Sequence, residues 1–314
     1  MNPFWLFVIG VIQALLLLLL APLYSGFARV MRAKMHSRQG PPLMQNYRDI
    51  TKLMTRQEVV SEQAGWIFRV MPYLSMACMF LAAIIIPVLV TASPLEAAGD
   101  LILIIYLFAL PRFFFALAGL ESGSTLSGVG VRRELLISAL VEPILLMVIF
   151  VMALLAGTTN LGRISTEVAT GTFPYSLAYL LGMVAFAFAL YVEMGKLPFD
   201  LGEAEQELQE GPLAEYSGRS LAILKWSIYL KQLVLVALFV ALFLPFGAIA
   251  TASLSLVGFV LALVIFPLKA LLWYFVAGVL ENAMARTRFM NAPAVVWVAL
   301  GASFLSFIFY LANV

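Results

Sequence analysis

Apolar residues run along this chain in long unbroken stretches, separated by short polar intervals. Eight stand out, at roughly 3–25, 70–92, 101–120, 134–157, 175–193, 230–249, 254–281 and 293–312. Each is long enough to cross a bilayer as a helix, which takes about 20 residues. A helix also satisfies its own backbone groups where no water can. The pattern changes at LMQNYRDITKLMTRQE (43–58). There Leu43, Tyr47, Ile50 and Met54 recur at helical spacing, with Arg48, Lys52 and Arg56 on another face. This predicts an amphipathic helix suited to a membrane surface or a protein partner. The first stretch lacks a basic residue before its apolar core, so it reads as a retained span rather than a signal peptide. Pro87, Pro111, Pro143 and Pro267 are expected inside spans, where kinks are tolerated. No internal repeat relates the two halves.

The fold class is therefore an all-α integral membrane protein. It has eight transmembrane helices, an amphipathic helix after the first, and a long acidic cytoplasmic loop between the fifth and sixth. One membrane domain, 1–314, carries a basic and amphipathic cytoplasmic segment (26–69) and an acidic one (193–229).

Composition agrees. Of 314 residues, 63% are hydrophobic and 11% charged, against roughly 25% charged in soluble domains. One cysteine (Cys78) and one histidine (His36) exclude an iron–sulfur cluster, a zinc site or a bis-histidine haem built by this chain alone. The net charge of +2 is too small to argue for a nucleic-acid partner. Its distribution is more informative: sixteen of nineteen Lys and Arg fall in alternate loops on one side, eight of them between Arg29 and Arg69. By the positive-inside rule that side is cytoplasmic, and both termini face outward.

Charges inside the apolar stretches need a reason, since each costs on the order of 2.5–3.5 kcal/mol at a helix centre on insertion scales. Arg112 lies mid-span, Glu142 about eight residues into the fourth stretch, and Lys269 deep in the seventh; Glu193 and Glu281 close theirs near the cytoplasmic side. Two readings stay open: a structural ion pair, such as Arg112 with Glu142, or a chain of titratable groups that moves protons. The segment EMGKLPFDLGEAEQELQEGPLAEYSG (193–218) sets Glu193, Asp200, Glu203, Glu205, Glu207, Glu210 and Glu215 against Lys196 alone. Glu203, Glu207 and Glu210 are expected on one helical face, bracketed by Pro198 and Pro212. Such acidity on an otherwise basic side points to function more than to a solvated face. The glycine-rich GLESGSTLSGVGVRRE (119–134) lacks the GK[ST] ending of a phosphate-binding loop. No nucleophile–base pair is evident, so the chain is expected to perform no bond chemistry alone.

Three segments resemble one family. EMGKLPFDLGEAEQEL followed by EYSG is similar to the acidic-loop pattern of the eight-span complex I subunit that joins the peripheral arm to the membrane arm. Glu193, Pro198, Phe199, Asp200, Glu203, Glu205, Glu207, Glu215, Tyr216 and Ser217 fall on family positions, and Lys196 keeps the charge of the family's Arg. A second match runs from Gly119 through Ser122, Ser124, Gly130 and Arg133 to Glu142, which implies that Glu142 is the family's buried glutamate. The third is RQGPPLMQNYRDITKL, with Gln45, Asp49, Lys52 and Leu53 in register. The wording is most similar to the counterpart in group 4 NiFe hydrogenases of the formate hydrogenlyase and hydrogenase-4 type. A shorter loop after Gly40-Pro41, and Met194-Gly195 where the quinone-reducing subunits have Thr-Asn, count against a quinone ligand.

The resemblance implies a membrane-anchor and coupling subunit that docks a cytoplasmic redox arm and relays electron transfer to proton or Na⁺ translocation. Coupling falls to Glu142, Glu193, Lys196, Asp200, Glu203, Glu205, Glu207, Glu210, Glu215, Arg112, Lys269 and Glu281. Docking falls to Arg32, Arg38, Gln45, Arg48, Asp49, Lys52, Arg133 and Tyr216. Iron–sulfur clusters and a NiFe centre are expected in hydrogenase-like small and large partner subunits, beside antiporter-like membrane subunits, and no cofactor in this chain. The alternatives are a quinone-site subunit of an NADH:quinone oxidoreductase-like complex, a secondary transporter, and an anchor that moves no ions.

Overall fold

A computed structural model describes residues 3–62, 64–202, 205–249, 256–285 and 292–312. Among them the chain is all-helical, with isolated bridges but no strand. The long helices are α1 (Pro3–Met35), α3 (Trp66–Ile85), α4 (Leu101–Glu121), α5 (Thr125–Ala156), α7 (Leu177–Glu193), α9 (Gly218–Phe243), α10 (Leu256–Ala283) and α11 (Ala292–Leu311). Short helices lie between them: α2 (Gln45–Met54), α6 (Leu161–Thr170) and α8 (Glu205–Leu208). Seven helices are long and apolar enough to cross a membrane; α7 is apolar but only 17 residues long. α9 is the axis of the bundle. Its buried face runs almost unbroken from Leu230 to Phe243, while α10 and α11 leave many large apolar side chains exposed.

Backbone groups freed by proline show how the bundle holds together. Pro22 lies inside α1 and has no N–H to offer the Leu18 carbonyl. The Trp226 indole of α9 donates to that carbonyl at 2.9 Å. Next to it, Tyr47 of α2 donates to the Leu19 carbonyl and Asn46 to the Pro22 carbonyl at 2.9 Å. The amphipathic helix is thus fastened to α1 at its proline.

Pro87 behaves differently from the expectation that it lies within a span. α3 stops at Ile85, because the residue before a proline is driven out of the helical region, and Ile86 is extended. The stretch 70–92 is therefore a helix followed by a buried irregular segment. Gln13 of α1, fully buried, meets that break. Its amide nitrogen donates to the carbonyls of Ala83, Ile84 and Ile86 at 3.1, 3.1 and 2.7 Å. Replacing Gln13 by Leu strands those acceptors where water does not reach. A loss of about 2–3 kcal/mol is expected, read as a lower Tm in detergent; an unchanged Tm would refute this assignment.

Two other boundaries move. The glycine-rich stretch 119–134 is nearly all helix, since α4 ends at Glu121 and α5 begins at Thr125. In the acidic segment α8 ends at Leu208, and Gln209 and Glu210 take positive φ, 50° and 67°. Glu207 and Glu210 therefore do not share a helical face. Glu203 lies outside the described residues, and Glu205 opens α8.

Candidate functional site: a buried ion cluster and its cavities

Four helices bring ionisable side chains to one place. Arg112 follows Pro111 in the middle of α4, Glu134 and Glu142 lie two turns apart on α5, Glu193 ends α7, and Lys231 is on α9. The Arg112 guanidinium bonds to Glu193 and reaches Glu142 at 3.8 Å. Lys231 meets Glu193 at 2.9 Å. The Arg112 and Glu193 side chains are only 9% and 4% exposed, whereas Glu142, at 33%, reaches the edge of the bundle. Both carboxylates thus have cations at hand, as charges buried in this environment require. The expected contact of Arg112 with Glu142 is present, and Glu193 is the closer partner.

Two cavities line this cluster, and a larger one adjoins them. The largest, about 600 Å³, is polar: Arg29, Arg32, His36, Arg38, Lys196 and Lys225 line it together with Asp200, Glu210 and Glu281. A second, of about 70 Å³, is lined by Glu134, Glu193, Asp200 and Lys231. A third, of about 20 Å³, lies between Arg112, Glu142 and Glu193. Asp200 and Gly195 line both the first and the second, and Glu193 both the second and the third. The middle cavity has room for water, which needs about 10–15 Å³ of accessible space. Neighbouring cavities from the large one inward to Glu142 therefore share ionisable side chains.

The other expected residues divide between this site and its surroundings. Glu281, almost wholly buried, takes both of its oxygens to Arg32 at 3.2 Å on the wall of the large cavity. Arg133 pairs with Glu207, and Lys225 with Glu210 at 3.9 Å, so each pair pins the acidic segment to a neighbouring helix. Lys269 stands apart. It donates to the Leu244 and Phe246 carbonyls beyond the end of α9, about 18 Å along α10 from Glu281.

On α2, Arg48 and Lys52 are exposed, while Gln45 donates to Asp49 at 2.8 Å. Tyr216 does not face outward. It is buried, stacked on Phe68 with ring centroids 4.0 Å apart, and donates to the Phe68 carbonyl at 3.1 Å. Burial, with the Glu121 carboxylate nearby, holds its hydroxyl well above the usual range, so it remains a donor. Ser217 beside it donates to the Val59 carbonyl at 2.8 Å and accepts from the Val59 N–H at 2.7 Å. These bonds join the acidic segment to the 26–69 segment.

Glu134 joins the site without having stood out in the sequence, where it follows Arg132 and Arg133 as a boundary residue. Glu134, Ser138 and Glu142 stand four apart, a polar stripe along an otherwise apolar helix, and that spacing is the signal that marks it. Among the described residues no group of three or more His, Cys, Asp or Glu is placed to hold a metal.

A helical bundle of membrane-length helices around ion pairs defines an integral membrane protein with a charged interior. A family model described as NADH dehydrogenase matches residues 7–311, and the chain belongs to that family. It is 48% identical over 307 residues to Hydrogenase-4 component C of Escherichia coli (strain K12), covering 98% of this chain and 96% of that protein. It is 47% identical over 301 residues to Formate hydrogenlyase subunit 4 of the same organism, covering 96% and 97%. An NADH-quinone oxidoreductase subunit of Frankia alni is more distant, at 28% over 322 residues and 95% and 70% coverage. In fold, the chain matches one from the membrane-bound sulfane sulfur reductase, an archaeal respiratory membrane complex. The TM-score is 0.82 at 23% identity, over 98% of this chain and all of that one.

Proposed function

We propose that this protein is the membrane-anchor and coupling subunit of a complex I-like NiFe hydrogenase of the formate hydrogenlyase or hydrogenase-4 type. It sits in the inner membrane with α7 as an eighth, short span, within the ~17–25 residues that suffice. Both termini face the periplasm. The 26–69 and acidic segments form the cytoplasmic surface on which hydrogenase-like large and iron–sulfur subunits dock. Arg48 and Lys52 contribute charge, and Tyr216 gives the surface its shape. The NiFe centre and clusters belong to those partners, and antiporter-like subunits adjoin in the membrane.

The observation that carries this reading is the set of ionisable side chains shared by neighbouring cavities, from the large one through Glu193 to Glu142. An electron arriving on a nearby partner cluster adds negative charge, and proton uptake on the nearest carboxylate offsets it. We assign proton reception to Lys196, Asp200, Glu203, Glu205, Glu207, Glu210 and Glu215, and to Glu281 on the wall of the large cavity. Arg112 and Glu142 carry or tune the onward step, and Lys269 tunes it from further along α10. The two relatives near 48% identity favour the hydrogenase branch over a quinone-site subunit, the second reading.

Gentle detergent purification of the tagged subunit from native membranes, with partner identification and metal analysis, tests this. Nickel with iron and a hydrogenase-like large subunit are expected. Iron without nickel, beside NADH-oxidising partners, would favour the quinone reductase, and a lone metal-free protein would refute both.

A further inference from the structure

The ion cluster has a charge imbalance that its salt bridges do not show. Glu142 and Glu193 are matched by Arg112 and Lys231, two carboxylates to two cations, so that quartet is neutral as it stands. Glu134 is additional. It lines the middle cavity with Glu193, Asp200 and Lys231, and among the described residues it forms no salt bridge. Lys231 from α9 and Arg112 from α4 attract it; Glu193 from α7 and Asp200 from the acidic segment repel it. Glu134, Glu142 and Glu193 thus set three carboxylates against Arg112 and Lys231, one negative charge more than these two cations balance. Glu134 is half-buried, an unpaired charge costs more there than in open water, and a single proton removes it.

The backbone of the acidic segment covers this carboxylate. A Cβ on Gly202 would lie 3.1 Å from the Glu134 Cβ and 3.2 Å from its Oε2. Asp200, two residues earlier, opens on the other side to the large polar cavity. Water that enters there reaches a cavity whose wall holds Asp200, Glu134 and Glu193 together.

We propose that Glu134 is the carboxylate that loads the transferable proton, taking it through water admitted past Asp200 and passing it to the Arg112–Glu193–Glu142 cluster. The proposal rests on the proton-coupling reading above and names its first internal station. In the loading step an O–H bond forms on a Glu134 carboxylate oxygen and one breaks on a hydronium ion, which is left as water; no electron moves. Neutral Glu134 then donates through cavity water to Glu193, whose hold on Lys231 and Arg112 weakens as it accepts. Neither transfer needs a cofactor.

The test uses the intact complex in sealed membrane vesicles, with Glu134→Gln and Glu134→Asp. Protons moved per electron are measured, together with infrared difference spectra between oxidised and reduced states. Gln should lower the proton-to-electron ratio about tenfold or more, Asp should restore most of it, and a protonated-carboxyl band present in the wild type should vanish in the Gln variant. A wild-type ratio in Glu134→Gln, or a band that survives there, overturns the proposal and leaves the coupling reading standing. A wild-type complex that moves no protons removes the coupling reading instead, and the infrared comparison still decides whether Glu134 holds the proton. If the Gln variant does not assemble, Glu134→Asp is decisive. The carboxyl band must shift in frequency if it arises at residue 134, and an unshifted band overturns the assignment.

Discussion

Replacing Arg112 by Met should destabilise the subunit by about 3–5 kcal/mol, the range seen when one partner of a buried ion pair is removed. The effect is large because Arg112 serves two carboxylates at once. Glu193, 4% exposed, would keep only Lys231, and Glu142 would lose its cation. Lysine at 112 should recover only part, since a compact ammonium lacks the rigid planar fork with which the guanidinium spans two carboxylates. Adding Glu193→Gln to Arg112→Met should return part of the loss, because one carboxylate (Glu142) then stands against one cation (Lys231) and the cluster is neutral again. Thermal unfolding of the purified complex, run as a double-mutant cycle, measures this. Additive effects of the two changes would mean that the pair is not coupled.

The second large effect is expected at Gly211. Its φ is +53°, and a Cβ there would stand 2.5 Å from the Gly202 carbonyl oxygen. An L-residue in that conformation costs roughly 1–2 kcal/mol, and overpacking roughly 1–3 more. No rotamer relieves the clash, because the obstacle is backbone. Gly211→Ala should therefore lift the acidic segment from α5, where Gly130 makes the matching approach to the same carbonyl. Limited proteolysis should cut the variant near 203–215 at least tenfold faster than the wild type, with a lower yield of assembled complex. Wild-type resistance to protease would show that the segment is held elsewhere.

How much of this was legible in the sequence depends on the range of the signal. Long apolar runs and the amphipathic spacing around Ile50 are local patterns, and both appear as helices. Helix ends were legible only where a local rule applied. Pro87 carried the signal for the end of α3, but the apolar residues on either side of it masked the break. The site was legible in part. An arginine in the middle of an apolar run demands partners, which made Arg112, Glu142 and Glu193 candidates. Which carboxylate lies closer is set by how α4, α5 and α7 pack, and no local pattern contains that. Glu134 was hidden by its neighbours, since Arg132 and Arg133 give it the look of a surface boundary. Tyr216 sits among seven carboxylates, and its burial depends on Phe68, 148 positions away.

The junction of Tyr216 and Ser217 with Phe68 and Val59 bears on association. Arg219 adds a bond to the Met54 carbonyl at 3.4 Å, and Ser220 one to Glu58. Two stretches far apart in the chain are thereby cross-braced into one platform before anything binds. Loops left to order themselves on association cost roughly 0.5–1.5 kcal/mol for each side chain immobilised. A protein that settles on this platform meets a surface whose shape is already set, so more of its contact energy appears as affinity. The bracing also ties the end of α2 to the acidic segment, through the Arg219 side chain on the Met54 carbonyl, so that a partner seated on one rests on both.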